Sequence, residues 1–413
     1  MSATAPPSAS PTAERIAHTA QAASTIVVLA ALLSLQPVTT DAYLPALPAL
    51  TQALGGSMAS GQLTLSALLL AFGGSQLAWG PLSDRFGRRP ILLCSIVLYT
   101  LASLGSVVAT HMDLLILWRT LQGAAMGAVV MCGRAIVRDL YSPVTGARAM
   151  SKALTGLGVV ACMCAPVGGL LAQWLGWRAP LAAVTTYALV CLWLVWRYMP
   201  ETLQQPNPQA LQPRTLMRTW ALVLRHPTFW AYSLLTTASY GGLFTYLATS
   251  SFIFIDVLGM SRTHYGWVLF SSGLSYFFGT FLCRALMARW GLQRTVASGG
   301  LLSVSGGTLM AGAAWMGWQH PVALLAPFYL FTLGHGIHQP CGQTGCVAPF
   351  PQAAGVASAF NGFMMTLLAF AIGLWLGQLR VDSVWPLVQG VWGCSLLLAL
   401  VAWWPVQKFA PSS

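Results

Sequence analysis

In this 413-residue chain, one acid lies within a long apolar segment, and one arginine lies well inside another. Asp41 lies near the end of the first apolar segment, and Arg119 lies six residues after Asp113, where the fourth begins. A carboxylate taken out of water favours its protonated form, and a nearby cation opposes that tendency. A partly buried aspartate can therefore bind and release protons, which makes Asp41 the candidate for proton coupling.

Arg119 is the candidate partner of Asp41. If the two segments are helices that run in opposite directions, both groups lie at a similar depth and can pair directly or through water. The structural alternatives are an aspartate that caps a helix end and an arginine bonded to backbone carbonyls. Gln122, Gly123 and Met126 share the helical face of Arg119 and form a polar, open stripe that can face a cavity.

Charge is concentrated in the segment GPLSDRFGRRP, residues 80–90. Positively charged loops orient membrane proteins, which explains the arginines but not Asp84. A carboxylate here can cap a helix or pair with arginine in one conformation and be released in another, and the flanking glycines suggest close backbone approach. We expect a conformational latch that holds the outward-open state and involves Gly80, Asp84, Arg85, Gly87, Arg88, Arg138 and Glu201.

Two histidines, His335 and His338, lie one turn apart in LGHGIHQPCGQTGC. Metal binding needs a further ligand that the spacing does not supply, so we expect a polar cavity wall instead. The predicted substrate cavity comprises Tyr43, Gln122, Met126, Tyr240, Phe244, His335, His338, Gln339 and Asn361. Neither a metal site nor a catalytic set nor a cofactor is expected.

Small residues and proline mark the fifth apolar segment. Pro166, Gly168 and Gly169 predict a bent helix that approaches a neighbour closely, with plain small-residue packing as the alternative. Nine cysteines occur within apolar runs without CxxC spacing. They are expected to act as small buried apolar residues rather than as disulfides or metal ligands.

The amino-acid composition indicates that most of the chain lies in a lipid bilayer. With 56% hydrophobic residues and mean hydropathy of +0.68, the chain is typical of an all-α membrane protein. The net charge is +12, which in a soluble protein would suggest nucleic-acid binding. Here the arginines lie at the ends of apolar runs and form no basic stripe with interleaved aromatics, which argues against that function. Twelve spans are predicted, at residues 24–44, 60–80, 90–109, 114–136, 150–173, 179–199, 228–250, 264–287, 295–316, 322–346, 353–377 and 384–404.

The spans divide into two sets of six around a polar, proline-rich connector. A shift of 204 residues aligns LSDRFG with LMARWG, as two related halves would. The predicted divisions are a disordered N-terminus at 1–22, a bundle at 23–199, an extended linker at 200–227, a second bundle at 228–405 and a tail at 406–413. Sixteen of the twenty Lys and Arg residues fall on one face, which predicts that both termini are cytoplasmic.

Several motifs resemble those of the major facilitator superfamily, beginning with GPLSDRFGRRP. LILWRTLQGAAMG (115–127) resembles the fourth-helix motif, and APVGGLLA (165–172) is similar to the fifth-helix motif of antiporters. Four further segments resemble the bicyclomycin/chloramphenicol-resistance (Bcr/CflA) branch of drug/proton antiporters. They are DAYLPALP (41–48), RAIVRDLY (134–141), PETL (200–203) and FPQAAGVASA (350–359).

This resemblance implies two six-helix bundles around a cavity, alternating access, and proton-driven export. The chain departs from the family at Ala125 and Ala165, where glycine is common, and at Leu33, where some relatives carry a second acid. Coupling through a single carboxylate would follow.

The predicted function is proton-coupled efflux of small hydrophobic or amphipathic drugs across the bacterial inner membrane. An exporter or importer of one metabolite on the same scaffold is the alternative, and a non-transporting sensor or scaffold is a third. An enzyme is disfavoured because the sequence has no P-loop, GxSxG or HExxH motif. The expected partners are a drug substrate, protons and membrane lipids, and the expected unit is a monomer.

Overall fold

A computed structural model describes residues 11–140, 143–203, 205–208, 210–318, 320–379 and 383–409. Helices account for the secondary structure of this part of the chain, which contains no strand. The helices are α1 (Pro11–Asp41), α2 (Leu47–Ala53), α3 (Met58–Phe86), α4 (Arg88–Val107), α5 (Met112–Leu140), α6 (Pro143–Trp174), α7 (Arg178–Tyr198), α8 (Pro213–Leu224), α9 (Pro227–Ser251), α10 (Arg262–Trp315), α11 (Pro321–Val347), α12 (Ala354–Gly377), α13 (Trp385–Trp403) and α14 (Pro405–Phe409).

Twelve membrane-crossing segments follow from these helices. Nine helical stretches of the described chain are long and apolar enough to span a bilayer. One of them, α10, contains two crossings because Gly291 adopts a φ of 71° and interrupts its helical backbone. α9 and α11 are 25 and 27 residues long and add the remaining two. The predicted all-α fold with twelve transmembrane helices is confirmed.

Two bundles contain these crossings. α1 and α3 to α7 pack together in the first bundle, and α9 to α13 pack together in the second. In lipid, helices associate through close van der Waals packing and polar contacts, and small residues allow that packing. The two bundles meet along α3 with α12 and along α6 with α10.

The two ends of the molecule differ in charge. The end that carries Arg85, Arg89, Arg197 and Arg225 is called here the arginine-rich face. The opposite face contains the start of α5, the end of α6 and the start of α10.

Two segments depart from the sequence expectation. The polar connector contains the 12-residue helix α8, although its prolines predicted an extended linker. Proline is tolerated in the first turn of a helix, and Pro213 occupies that position in α8. α1 begins at Pro11, so residues 11–22 are helical where disorder was expected. Residues 1–10 and 410–413 lie outside the described chain.

Candidate functional site

Arg119 is the centre of a buried polar cluster in the first bundle. Its side chain is fully buried, and its guanidinium lies over the ring of Tyr43, 4.1 Å from the ring centroid. Nη1 donates to Oε1 of Gln122 at 2.7 Å, and Nη2 donates to the carbonyl oxygen of Thr39 at 2.9 Å. Gln122 in turn donates from Nε2 to Oγ of Ser103 at 2.6 Å. The cluster therefore joins α5 to both α1 and α4.

Asp41 lies at the C-terminal end of α1. In the sequence it falls between Thr39 and Tyr43, both of which contact Arg119. Its carboxylate is half-buried and accepts a hydrogen bond from Oγ1 of Thr40 at 2.8 Å. The direct ion pair with Arg119 that the sequence suggested is absent, since the salt bridges found in the described chain involve Arg88. Arg119 instead contacts a carbonyl, an amide and an aromatic ring, while its buried Nε has no hydrogen-bond partner in the described chain. A negative charge at a helix C-terminus is unfavourable, which argues against the capping role for Asp41.

Close backbone packing places the end of α1 beside α6. A side chain at Gly168 would collide with the backbone carbonyl of Ala42, the residue after Asp41. A Cβ at the neighbouring Gly169 would lie 2.6 Å from the carbonyl oxygen of Arg262, at the start of α10. The Pro166 segment thus contacts both Ala42, next to the coupling candidate, and the second bundle, through the two glycines that the sequence singled out.

Hydrogen bonds reinforce this junction at the opposite face. Nη1 of Arg262 donates to the carbonyl of Ala172 at 3.0 Å, and Oγ1 of Thr263 donates to Oε1 of Gln173 at 2.8 Å. Along the second interface, Gly373 of α12 lies against Ser66 of α3. The bundles are in contact at the opposite face in this conformation.

The second bundle holds a network of uncharged polar groups. Oγ1 of Thr236 donates to Oδ1 of Asn361 at 2.7 Å, and Nε2 of Gln339 donates to the carbonyl of Thr236 at 3.3 Å. His335 shares a hydrogen bond of 2.8 Å between Nδ1 and Oγ of Ser239. Helices α9, α11 and α12 are joined by these bonds. Thr236 and Ser239 were missed by the sequence analysis because hydroxyl residues carry no distinctive spacing.

The two histidines face different surroundings. His335 faces α9, whereas Nε2 of His338 bonds to the carbonyl of Val296 at 3.3 Å in the second half of α10. His338 therefore packs inside the bundle and does not share a wall with His335. In the described chain no group of three or more His, Cys, Asp or Glu residues could hold a metal ion.

Three other residues predicted to line the cavity differ in burial and in the helices they contact. Met126 and Phe244 are fully buried, and Tyr240 is half-buried. Phe244 lies near Gly373, where α9, α12 and α3 meet. Met126 packs within the apolar core of the first bundle.

At the arginine-rich face, Arg88 holds a cluster of acids together. Its Nη1 lies 2.6 Å from Oδ1 of Asp84, and its Nε donates to Oδ2 of Asp139 at 3.0 Å. Nη1 also donates to Oγ of Ser83 at 2.5 Å. Asp139 was missed although it lies in the quoted segment RAIVRDLY, beside the residue chosen, Arg138, whose side chain lies outside the described part.

Glu201 caps the N-terminus of α4. Its carboxylate accepts backbone N–H bonds of 2.9–3.1 Å from Arg88, Arg89, Thr202 and Leu203. Partial burial alone would raise the pKa of this carboxyl, but the four N–H donors outweigh burial and hold its pKa below the usual value. The cap ties the end of α7 to the start of α4.

The two motif glycines differ in their surroundings. Gly87 has a φ of 100°, and a Cβ there would lie 2.5 Å from Oε2 of Glu201. Gly80 faces open space, so the close approach expected at this position is absent. Arg85 is exposed and lies over the ring of Phe86 at 5.3 Å. The latch candidates that the structure brings together are therefore Asp84, Gly87, Arg88 and Glu201, and their partners lie in the first bundle and its connector.

Two helical bundles that enclose buried polar groups define a multi-pass membrane transporter. The chain belongs to the Major Facilitator Superfamily, which it matches over residues 29–374. It is similar to the chloramphenicol resistance protein of Pseudomonas aeruginosa, with 29% identity over 372 residues, 89% of this chain and 87% of that protein. The bicyclomycin resistance protein homolog of Haemophilus influenzae is 24% identical over 377 residues, 91% of this chain and 94% of that protein.

These relatives confirm the resemblance to the bicyclomycin/chloramphenicol-resistance branch. Among solved structures, a D-xylose-proton symporter has a TM-score of 0.73 at 18% identity, with 94% of this chain and 98% of that chain covered. That likeness shows the fold. The fold and the family point to a transporter rather than an enzyme.

Proposed function

We propose that the protein exports small hydrophobic or amphipathic drugs across the bacterial inner membrane in exchange for protons. The observation that carries the proposal is Asp41, a half-buried acid within the first membrane span and outside any ion pair found in the described chain. The names of the relatives, which refer to chloramphenicol and bicyclomycin resistance, support drugs as cargo.

Asp41 acts as the proton-binding group because its surroundings change when the bundles rock. The end of α1 is held on one side by Arg119, through Thr39 and Tyr43, and on the other by α6 at Gly168. α6 contacts α10 of the second bundle, so separation of the bundles at the opposite face alters the access of water to Asp41. An acid that alternates between a wet and a drier environment takes up and releases a proton.

The uncharged network of the second bundle provides hydrogen bonds for the cargo. Asn361, Gln339 and His335 lie on α11 and α12, and each is bonded to a hydroxyl or carbonyl of α9. Their donors and acceptors can exchange these internal partners for a drug that enters between the bundles. The half-buried ring of Tyr240 on α9 contributes surface for the apolar part of an amphipathic cargo.

The arginine-rich face is assigned to the cytoplasm by the positive-inside rule, with both termini on that side. The structure then corresponds to a conformation closed toward the outside, and the Arg88 ion pairs are formed in it, whereas the latch was expected to hold the outward-open state. One charge that crosses 100 mV contributes about 2.3 kcal/mol, which suffices for more than tenfold accumulation per proton. Both bundles belong to one chain, so a monomer in the lipid bilayer is the proposed unit.

Transport in proteoliposomes tests this proposal. Uptake of chloramphenicol or another lipophilic antibiotic is measured with and without an imposed pH gradient, alongside drug susceptibility of an efflux-deficient host. We expect gradient-dependent transport and resistance that Asp41→Asn abolishes. Asp113→Asn is the matched control, because Asp113 is an exposed acid at the start of α5 and should leave both readouts unchanged.

Two results would contradict the proposal. Equal transport with and without a pH gradient would show that transport is not coupled to protons. A susceptibility panel without any change, combined with dependence of cells on one nutrient, would favour a transporter of a single metabolite.

A further inference from the structure

Three sulfur atoms meet between α10 and α11, away from the polar groups assigned above. Sγ of Cys283 lies 3.5 Å from Sγ of Cys341, and Sγ of Cys341 lies 3.9 Å from Sδ of Met287. Both thiols are free and buried, whereas Met287 is 45% exposed. We propose that Cys283, Cys341 and Met287 form a binding site for a soft monovalent metal ion, Cu(I) or Ag(I).

The geometry fits three-coordinate sulfur ligation. Metal–thiolate bonds are about 2.3 Å long, and an ion at the centre of three such sulfurs separates them by about 4.0 Å. The two separations that Cys341 makes, 3.5 Å to Cys283 and 3.9 Å to Met287, lie within about half an ångström of this value. Thiolate and thioether ligands select Cu(I) over harder ions. Zn²⁺ would need a fourth ligand.

Backbone packing holds the two helices in position for this site. One turn before Cys283, Gly279 packs on α11 so closely that its Cβ would lie 3.1 Å from Cα of Gly336. Cys283 and Met287 share one face of α10, four residues apart, and the thiol of Cys283 lies 3.9 Å from the carbonyl of Ile337. The sulfur atoms are thus brought together by the packing of α10 on α11 and not by flexible loops.

Binding replaces the two thiol protons with one ion. Cu(I) and two thiols give a bis-thiolate with a net charge of −1 and release two protons, while the thioether of Met287 donates without a proton. The reduced ion Cu(I) and free thiols both require a reducing environment, as in the cytoplasm. Met287 lies four residues before the kink at Gly291, so its exposed thioether provides the point of entry near the arginine-rich face.

A chelator competition tests the site in the full-length protein in nanodiscs, with a phosphine reductant and a chromogenic Cu(I) chelator. The wild-type chain should retain one Cu(I) at chelator concentrations that strip both Cys283→Ser and Cys341→Ser. Loss of a group that only supports a metal ligand costs about 10–100-fold in metal affinity. Because Met287 is proposed to bind the ion directly, Met287→Leu should weaken binding by about tenfold or more. Cys346→Ser and Cys394→Ser are the matched controls, buried or half-buried thiols of the same bundle, and should retain the ion.

X-ray absorption on Cu(I)-loaded wild-type protein gives a readout that needs no variant. We expect a shell of three sulfurs, reduced to two in Met287→Leu. A shell with nitrogen or oxygen ligands, or equal loss of Cu(I) from the wild type and the Cys283→Ser/Cys341→Ser double variant, would overturn the proposal. So would a Cys283–Cys341 disulfide that persists under the reductant in mass spectra. These outcomes do not depend on whether drugs are exported.

Discussion

Arg119 on α5 stacks on Tyr43, just beyond the end of α1, and binds the carbonyl of Thr39 on the other side of Asp41. A planar guanidinium can make both contacts at once, because its N–H donors lie in the plane while its face lies on the ring. Arg119 therefore positions the end of α1 without neutralising Asp41. The proposed proton site remains free to change its charge.

Arg119→Lys should abolish transport although the charge is kept. The single nitrogen of a lysine cannot occupy the positions of both Nη1 and Nη2, which donate to Gln122 and Thr39, and each unpaired buried group costs about 1–3 kcal/mol. Transport by reconstituted protein checks this, with thermal unfolding as a test of folding. Tyr43→Phe keeps the ring and should stay near wild type, whereas Tyr43→Leu should resemble Arg119→Lys. Equal activity of the Phe and Leu variants would contradict a role for the ring.

Gly87→Ala should destabilise the arginine-rich face, while Gly80→Ala should not. At Gly87 the φ of 100° and the nearby carboxylate of Glu201 leave no room for a Cβ, and a strained backbone position of this kind costs about 1–3 kcal/mol. Gly80 faces open space on the same motif. Melting temperatures of the two variants in detergent make the comparison. A similar loss in both would show that the motif requires small residues in general.

The Glu201 cap predicts a pH dependence of stability with a defined sign. Because the four N–H bonds lower the pKa of this carboxyl in the folded state, its contribution is present at neutral pH. That contribution is lost as pH falls below about 4.3, the usual value of a glutamate, toward the lowered folded pKa. Melting curves from pH 7 to pH 3.5 should show a steeper acid loss for wild type than for Glu201→Gln. Parallel curves would contradict the assignment.

The sequence predicted the membrane spans because apolar length is a strong signal. The segment predicted at 179–199 is the helix Arg178–Tyr198, and 114–136 lies within Met112–Leu140. α8 was missed because a proline-rich polar connector gives no apolar run, although Pro213 is compatible with a helix start.

The sequence predicted which residues belong to the site better than it predicted the contacts that those residues make. Depth along opposed helices places Asp41 and Arg119 at one level, but which partner an arginine chooses depends on side-chain directions that spacing does not specify. The bond to Thr39 uses a backbone carbonyl, which no residue type reveals. Asp139 joins Arg88 across α4 and α5, a tertiary contact that the order of residues does not show.

Gly169→Ala should shift the equilibrium between the two conformations toward one that is open at the opposite face. An added Cβ would lie 2.6 Å from the carbonyl oxygen of Arg262, so α6 and α10 must separate. The bonds from Arg262 to Ala172 and from Thr263 to Gln173 would lengthen with them. A cost of about 1–2 kcal/mol changes the ratio of two conformations roughly 5- to 30-fold.

Hydrogen exchange at the start of α10, combined with transport rates, measures this shift. We expect faster exchange in residues 262–270 and slower transport for Gly169→Ala. Gly158→Ala is the matched control, because Gly158 lies on the same helix and faces open space, so the added methyl changes helix propensity alone. If both variants exchange and transport alike, the contact at Gly169 does not control closure of the opposite face.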